Sequence, residues 1–165
     1  MLNSKLFLVL LVLIIVLIIL YFFGKKSVHH EILISASPEE VWYVLTDTPE
    51  YDNWNPTMKL LEGEVKKGNK VKYQFTQSAD KSYAIETYVK EVIPNKLLNQ
   101  GGGMTGIITF DHRYLLEAID HKTKVTIHED YGGIYVNFWN PSPVAKAYQR
   151  LNQALKVRVE SLVKK

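Results

Sequence analysis

The chain predicts an α+β domain carried behind one long apolar helix. Three observations lead there: an unbroken apolar run at the amino-terminal end, a middle section of period-two alternation, and a closing section of three- and four-residue periodicity.

The run from Leu6 to Phe23 has Lys5 on one flank and Lys25-Lys26 on the other. As a helix it would reach roughly 27 Å, close to the hydrocarbon thickness of a bilayer. It is apolar on every side, so it is not one face of a soluble core helix. Tyr21, Phe22 and Phe23 stand where an aromatic belt meets headgroups, and the lysines can snorkel outward. A removable secretory signal has a shorter apolar core, of about 7–15 residues, and a small-x-small cleavage site. Phe22-Phe23-Gly24-Lys25-Lys26 offers none. The expectation is a retained single-pass anchor over residues 1–26, spanning at about 6–23. Lys5 and the amino terminus balance Lys25 and Lys26, so the basic count assigns the rest of the chain to neither side of the membrane.

Behind the anchor, residues 28–165 suffice for one domain with a real core. Twenty basic and 17 acidic residues give a net charge of +3 without a basic stripe, which argues against nucleic-acid binding. With no cysteine, disulfides, thiolate metal sites and cysteine nucleophiles are excluded. The ten tyrosines suit a sheet whose inner surface is large and partly polar.

A short joint over Gly24–Val28 leads to a strand at His29–Ser35. Ser37-Pro38-Glu39-Glu40 then reads as a helix start, with a serine cap, proline in the first turn and acids against the positive dipole end. Val41, Trp42, Val44 and Leu45 form its apolar face, and a second brief turn leads to Tyr51 and Trp54-Asn55-Pro56. Alternation follows at 71–76, 85–90, 112–116 and 125–131, broken by turn clusters such as Lys67-Gly68-Asn69 and Asp120-His121-Lys122. Connections this short imply antiparallel neighbours. From Val144 to Leu162 apolar residues recur at helical spacing, giving a long amphipathic helix able to cover the sheet.

The segment Glu31–Trp42, with Leu45-Thr46-Asp47, Tyr51 and Trp54-Asn55-Pro56, resembles the opening of the SRPBCC (START-like) superfamily, in particular its polyketide cyclase/dehydrase and lipid-transport branch. Phe110-Asp111-His112-Arg113-Tyr114 is similar to that branch's sixth strand, and Tyr148 to Glu160 to its terminal helix. The resemblance implies a helix-grip fold: a seven-stranded, curved antiparallel sheet around the C-terminal helix, with a hydrophobic ligand cavity between them. It leaves the activity open.

Strand register supplies the sharpest expectation. A turn centred on Asp120-His121 places Leu116 opposite Val125, Tyr114 opposite Ile127 and His112 opposite Glu129, all facing the long helix. A His–carboxylate pair in an apolar cavity could move a proton, as a cyclase or dehydratase requires. The plain alternative is that the two side chains satisfy each other and orient only the sheet. Trp54, Tyr73, Phe75, Ile85, Tyr114, Ile127, Tyr131 and Tyr148 are the expected ligand-binding residues. Gly101–Gly106 reads as a strand edge or hairpin at the cavity mouth, and Gly132-Gly133 as a bend in the last strand. No metal or cofactor is expected, since neither His29-His30 nor any other set has recognised ligand spacing. The leading expectation is a membrane-tethered, non-catalytic binder of a hydrophobic small molecule or lipid. A cyclase/dehydratase-type enzyme using His112 and Glu129, and an anchored interaction module with a filled interior, are its alternatives.

Overall fold

The computed structural model describes residues 3–164. Helix α1 spans Ser4–Phe23 and is followed without a linker by strand β1, Lys25–Ile34. Helix α2, Pro38–Thr46, and a 3-10 turn over Thr48–Asn53 lead into β2 (Met58–Gly63), β3 (Lys70–Ser78), β4 (Lys81–Ile93), β5 (Leu97–Met104), β6 (Ile108–Ile119) and β7 (Lys122–Gly132). A second 3-10 turn, Ile134–Asn137, precedes the long helix α3, Ser142–Val163. The strands form one seven-stranded antiparallel sheet in the order β1-β7-β6-β5-β4-β3-β2. This is the helix-grip α+β arrangement, with α3 packed against β1, β3 and β7.

Local chemistry explains the elements. Ser37 caps α2 reciprocally: its hydroxyl accepts from the Glu40 amide, and its own amide donates to Glu40 Oε2 at 2.7 Å. The Ser37 amide first, and then its hydroxyl donating to the same Oε2 at 2.9 Å, hold the Glu40 carboxyl below its usual range. One face of α3 buries Val144, Ala147, Tyr148, Leu151, Leu155 and Val159 against the sheet. Asn152, fully buried on the same face, donates through Nδ2 to His30 Nδ1 at 2.9 Å and ties the helix to β1.

The register expected for the last hairpin is present: Leu116 lies opposite Val125, Tyr114 opposite Ile127 and His112 opposite Glu129. Other expectations need correction. The sheet begins at Lys25 rather than His29, because Lys25 to Val28 already pair with Gly132 to Glu129. The Gly24–Val28 joint therefore does not exist, and the two lysines placed with the anchor belong to the sheet. Alternation alone does not locate β2 and β5, two of the seven strands that the resemblance implies. β2 is short and bulged between Leu60 and Glu62, which breaks its alternation. β5 is the central strand, and its inward positions Leu98, Gln100 and Gly102 alternate with Leu97, Asn99 and Gly101, so apolar, polar and glycine residues occur on both faces and leave no period of two. Its glycines sit in the middle of the sheet, not at an edge. A Cβ on Gly102 would lie 2.5 Å from the Glu86 carbonyl oxygen and 2.8 Å from the Phe110 ring. Only Met104–Ile107 forms the hairpin turn.

Candidate functional site

All the chain reversals at one end of the sheet lie together. The antiparallel register puts the start of β1, the β3–β4 turn, the β5–β6 turn and the end of β7 on the same side. Between the sheet and the start of α3 at this end lies a cavity of about 320 Å³. Its apolar wall includes Phe75, Ile85, Ile108, Phe110, Trp139 and Val144, and its polar groups are Tyr83, Glu129, Tyr131, Tyr135, Tyr148 and Lys81. Larger concavities, of about 820 and 830 Å³, lie along the outer side of the sheet around Lys25, Lys90 and Asp111 and around His29, Glu117 and His128. They are not enclosed between sheet and helix.

Glu129 is the centre of the inner site. It is 3% exposed, and its Oε2 accepts from the Tyr131 hydroxyl at 2.6 Å and from the Tyr148 hydroxyl. Period-two geometry places Tyr131 on the same face of β7 as Glu129, and α3 brings Tyr148 down from the other side. Both phenols are pushed far above the usual tyrosine range, first by burial and then by the negative charge of Glu129. Tyr83 is raised for the same two reasons. Among the described residues, nothing donates to Glu129 Oε1.

His112 stands across from Glu129, with Nδ1 3.7 Å from Oε2. That is beyond hydrogen-bond length, so the tyrosines rather than the histidine satisfy the carboxylate. The imidazole packs edge-on against Tyr114 and Tyr148, with ring centroids 4.7 and 5.2 Å away, and its buried Nε2 has no partner among the described residues. His112 is not part of the cavity wall; Glu129 is.

Of the eight residues expected to meet a ligand, Phe75, Ile85, Tyr131 and Tyr148 line the cavity. The other four do not. Tyr73 is buried and accepts from Gln100 Nε2 at 3.1 Å, and burial raises its hydroxyl to about 12. Tyr114 and Ile127 are buried core residues of the same interior. Trp54 packs on Tyr51, centroids 5.1 Å apart, and borders an outer groove beside Arg150 and Arg158. Sequence reading missed Tyr83, Phe110, Tyr135 and Trp139. Alternation on β4 and β6 marks the first two as inward, since Tyr83 shares a face with Ile85 and Phe110 with His112. No sequence period marks Tyr135 and Trp139, which lie in and just after an irregular turn.

Among the described residues there is no group of three or more His, Cys, Asp or Glu side chains able to hold a metal ion. The exposed His29 ring and the half-buried His128 ring meet across β1 and β7, Nδ1 to Nδ1 at 3.4 Å, flanked by Glu31 and Asp130.

A family model described as polyketide cyclase / dehydrase and lipid transport matches residues 25–160. The chain belongs to this family, within the SRPBCC superfamily. Solved structures of similar fold include protein CV1439 from Chromobacterium violaceum, at 17% identity and TM-score 0.68, covering 82% of this chain and 98% of that one. Protein SA2116 from Staphylococcus aureus, described as of unknown function, is 16% identical with a TM-score of 0.63, covering 86% and 98%. The ZhuI aromatase/cyclase from Streptomyces sp. R1128 is 16% identical with a TM-score of 0.61, covering 84% and 96%. At such identities these likenesses speak for the fold. No curated protein matches the sequence.

Proposed function

We propose that this family member is a membrane-anchored binding domain that takes up a hydrophobic small molecule or single-chain lipid between its sheet and α3. The observation that carries the reading is the unfilled volume of about 320 Å³ beside Glu129. It falls at the lower end of the range for small-molecule sites, which favours a compact ligand over a two-chain phospholipid. An interaction module with a filled interior fits that space poorly. Affinity would come from burying apolar ligand surface against Phe75, Ile85 and Phe110.

Polarity narrows the ligand further. Tyr131 and Tyr148 spend their protons on Glu129, so what these three cavity-lining side chains keep for a ligand is acceptor capacity. At Glu129 the fitting ligand group is a donor, a hydroxyl or an amine, on an otherwise greasy molecule, while Tyr83, Tyr135 and Lys81 on the same wall can donate to an acceptor elsewhere on it. Anchoring rests on α1, a 20-residue helix with none of its residues buried. It would keep the cavity close to membrane-dissolved cargo and so raise its effective concentration.

The test is to purify the full chain from native membranes and identify co-purifying small molecules by mass spectrometry, alongside Glu129→Gln. One dominant apolar class carrying a hydroxyl or amine, depleted in the variant, supports the proposal. An extract with no enriched compound, or one unchanged by E129Q, overturns it.

A second reading is a cyclase/dehydratase-type enzyme. What favours it is that Glu129 lines the cavity with an oxygen, Oε1, to which no described residue donates, while His112 Nδ1 lies 3.7 Å from the other oxygen. There Glu129 would take a proton from the substrate, and His112 would be a positioning residue that tunes it. His112→Gln should then lower kcat and move its pH profile while ligand uptake persists. Equal loss of uptake and turnover would remove the enzyme reading.

A further inference from the structure

The end of the domain that holds the cavity is also the end from which α1 departs, and the two are fastened together. The Gly24 amide donates to the Leu20 carbonyl at 2.9 Å, closing the helix, and the Gly133 amide donates to the Gly24 carbonyl at 2.9 Å. Asn137 Nδ2 donates to the Leu20 carbonyl at 2.7 Å and to the Ile134 carbonyl at 2.9 Å. Lys26 Nζ donates to the Trp139 carbonyl, next to the cavity wall. The same turn is bonded to the β5–β6 hairpin: the Ile134 amide donates to the Gly106 carbonyl at 3.1 Å, and the Tyr135 amide to the Ile107 carbonyl at 3.0 Å. Only Gly24 lies between Phe23 and the start of β1, so no flexible linker separates helix from sheet.

These fastenings set a level. Because Asn137 reaches Leu20, the turn holding Tyr135 and Phe138 stands beside the last helical turn, Leu20 to Phe23. Around that level large apolar side chains point into open space: Phe138 is 73% exposed, Met104 61%, Tyr135 50% and Ile107 49%. Phe22 and Phe23 continue the ring on the helix itself. The opposite end of the sheet turns on polar residues instead, Lys67-Gly68-Asn69, Pro94-Asn95 and Asp120-His121. An apolar and aromatic collar, flanked by Lys25 and Lys26 and continuous with a membrane-length helix, matches the headgroup–acyl boundary of a bilayer.

We infer that Met104, Ile107, Tyr135 and Phe138 dock onto the lipid surface, so that the cavity opens onto the bilayer rather than into water. The inference rests on the anchoring reading above. It assigns the collar one occupant, the lipid interface, and gives ligand a route between membrane and cavity that does not cross the aqueous phase.

The chain lacks cysteine, so single probes can be placed cleanly. Full-length Ile107→Cys, Phe138→Cys, Asn95→Cys and Val12→Cys, each carrying an environment-sensitive fluorophore, are reconstituted into phosphatidylcholine vesicles with a minority of phosphatidylglycerol. Doxyl-labelled lipid serves as quencher. The expected result is blue-shifted emission and strong quenching at 107 and 138, approaching that at 12, with neither at 95. Quenching at 12 with none at 107 and 138 overturns the docking surface while leaving the anchor intact. Absence of quenching at 12 overturns the anchor itself. A blue shift at 107 and 138 without lipid quenching means that protein covers the collar, which also overturns the inference.

Discussion

Tyr131 and Glu129 lie two residues apart on β7 and meet inside the domain, the phenol donating to Oε2 at 2.6 Å. The pair turns a carboxylate, ordinarily excluded from an apolar interior, into a fixed acceptor on the cavity wall. Tyr148 adds a second donor from α3, so one buried charge also couples sheet to helix.

Glu129→Gln keeps the shape and removes the charge. Hydrogen bonds to charged groups are worth about 1.5–3 kcal/mol. A ligand that donates to Oε1 should therefore bind roughly ten- to a hundredfold more weakly in the variant, as read by calorimetry with the compound identified from membranes. The tyrosines give an independent readout. Without the Glu129 charge the Tyr131 and Tyr148 hydroxyls should titrate lower than in the wild type, seen as earlier ultraviolet phenolate absorbance. An unchanged titration would mean that Glu129 does not act on them.

Alkaline stability should fall steeply. Burial is the first cause raising Tyr51, Tyr73, Tyr114, Tyr131 and Tyr148 above the ordinary value of 10.0, with Tyr73 at about 12. A folded-state value above the unfolded one means that the folded chain holds more protons once pH exceeds about 10. Their contribution is complete below that pH and is lost as pH rises towards and through the folded values. Urea midpoints measured from pH 8 to pH 11 should be flat up to about 10 and then drop, with proton release on unfolding.

Filling the cavity should separate binding from folding. Ile85→Trp places a large ring in space that the wild type leaves open. Uptake should fall at least about tenfold while the fold survives, overpacking costing about 1–3 kcal/mol. Ligand binding equal to wild type would show that the cargo sits elsewhere.

The junction at Gly24 is sterically closed. A Cβ there would lie 2.0 Å from the Gly133 carbonyl oxygen and 2.8 Å from Asn137 Nδ2. Gly24→Ala should force the helix end away from the turn at Ile134–Asn137 and lower the stability of the domain by more than about 1 kcal/mol in thermal unfolding. Gly68→Ala makes a useful contrast, since its only near neighbour is the Tyr88 hydroxyl at 3.9 Å and its cost is the positive φ alone.

Leu151 on α3 is fully buried, whereas Val157 on the same helix is 60% exposed. Leu151→Ala should cost about 2–5 kcal/mol through the void it leaves. Val157→Ala should stay within about 0.5 kcal/mol. Similar losses at the two positions would contradict the observed packing of α3.

Much of this protein was legible in its sequence because the signals were local. A turn at Asp120-His121 and alternation on either side fix the pairing of His112 with Glu129, since a slip of one residue would turn every side chain to the wrong face. Helical spacing fixed α3, and length and composition fixed α1. With leucine, amide and glycine residues on both of its faces, β5 gave no alternating signal. The division of the interior also required the tertiary structure. Tyr73, Tyr114 and Ile127 share the inward period of Phe75, Ile85 and Tyr131, yet the first three are packed solid and the second three border empty space. Period two reports only which face of the sheet a residue occupies. How far the sheet curves from α3, and which side chains arrive from outside its period, decides where the volume stays open; Tyr148 and Trp139 enter the site that way.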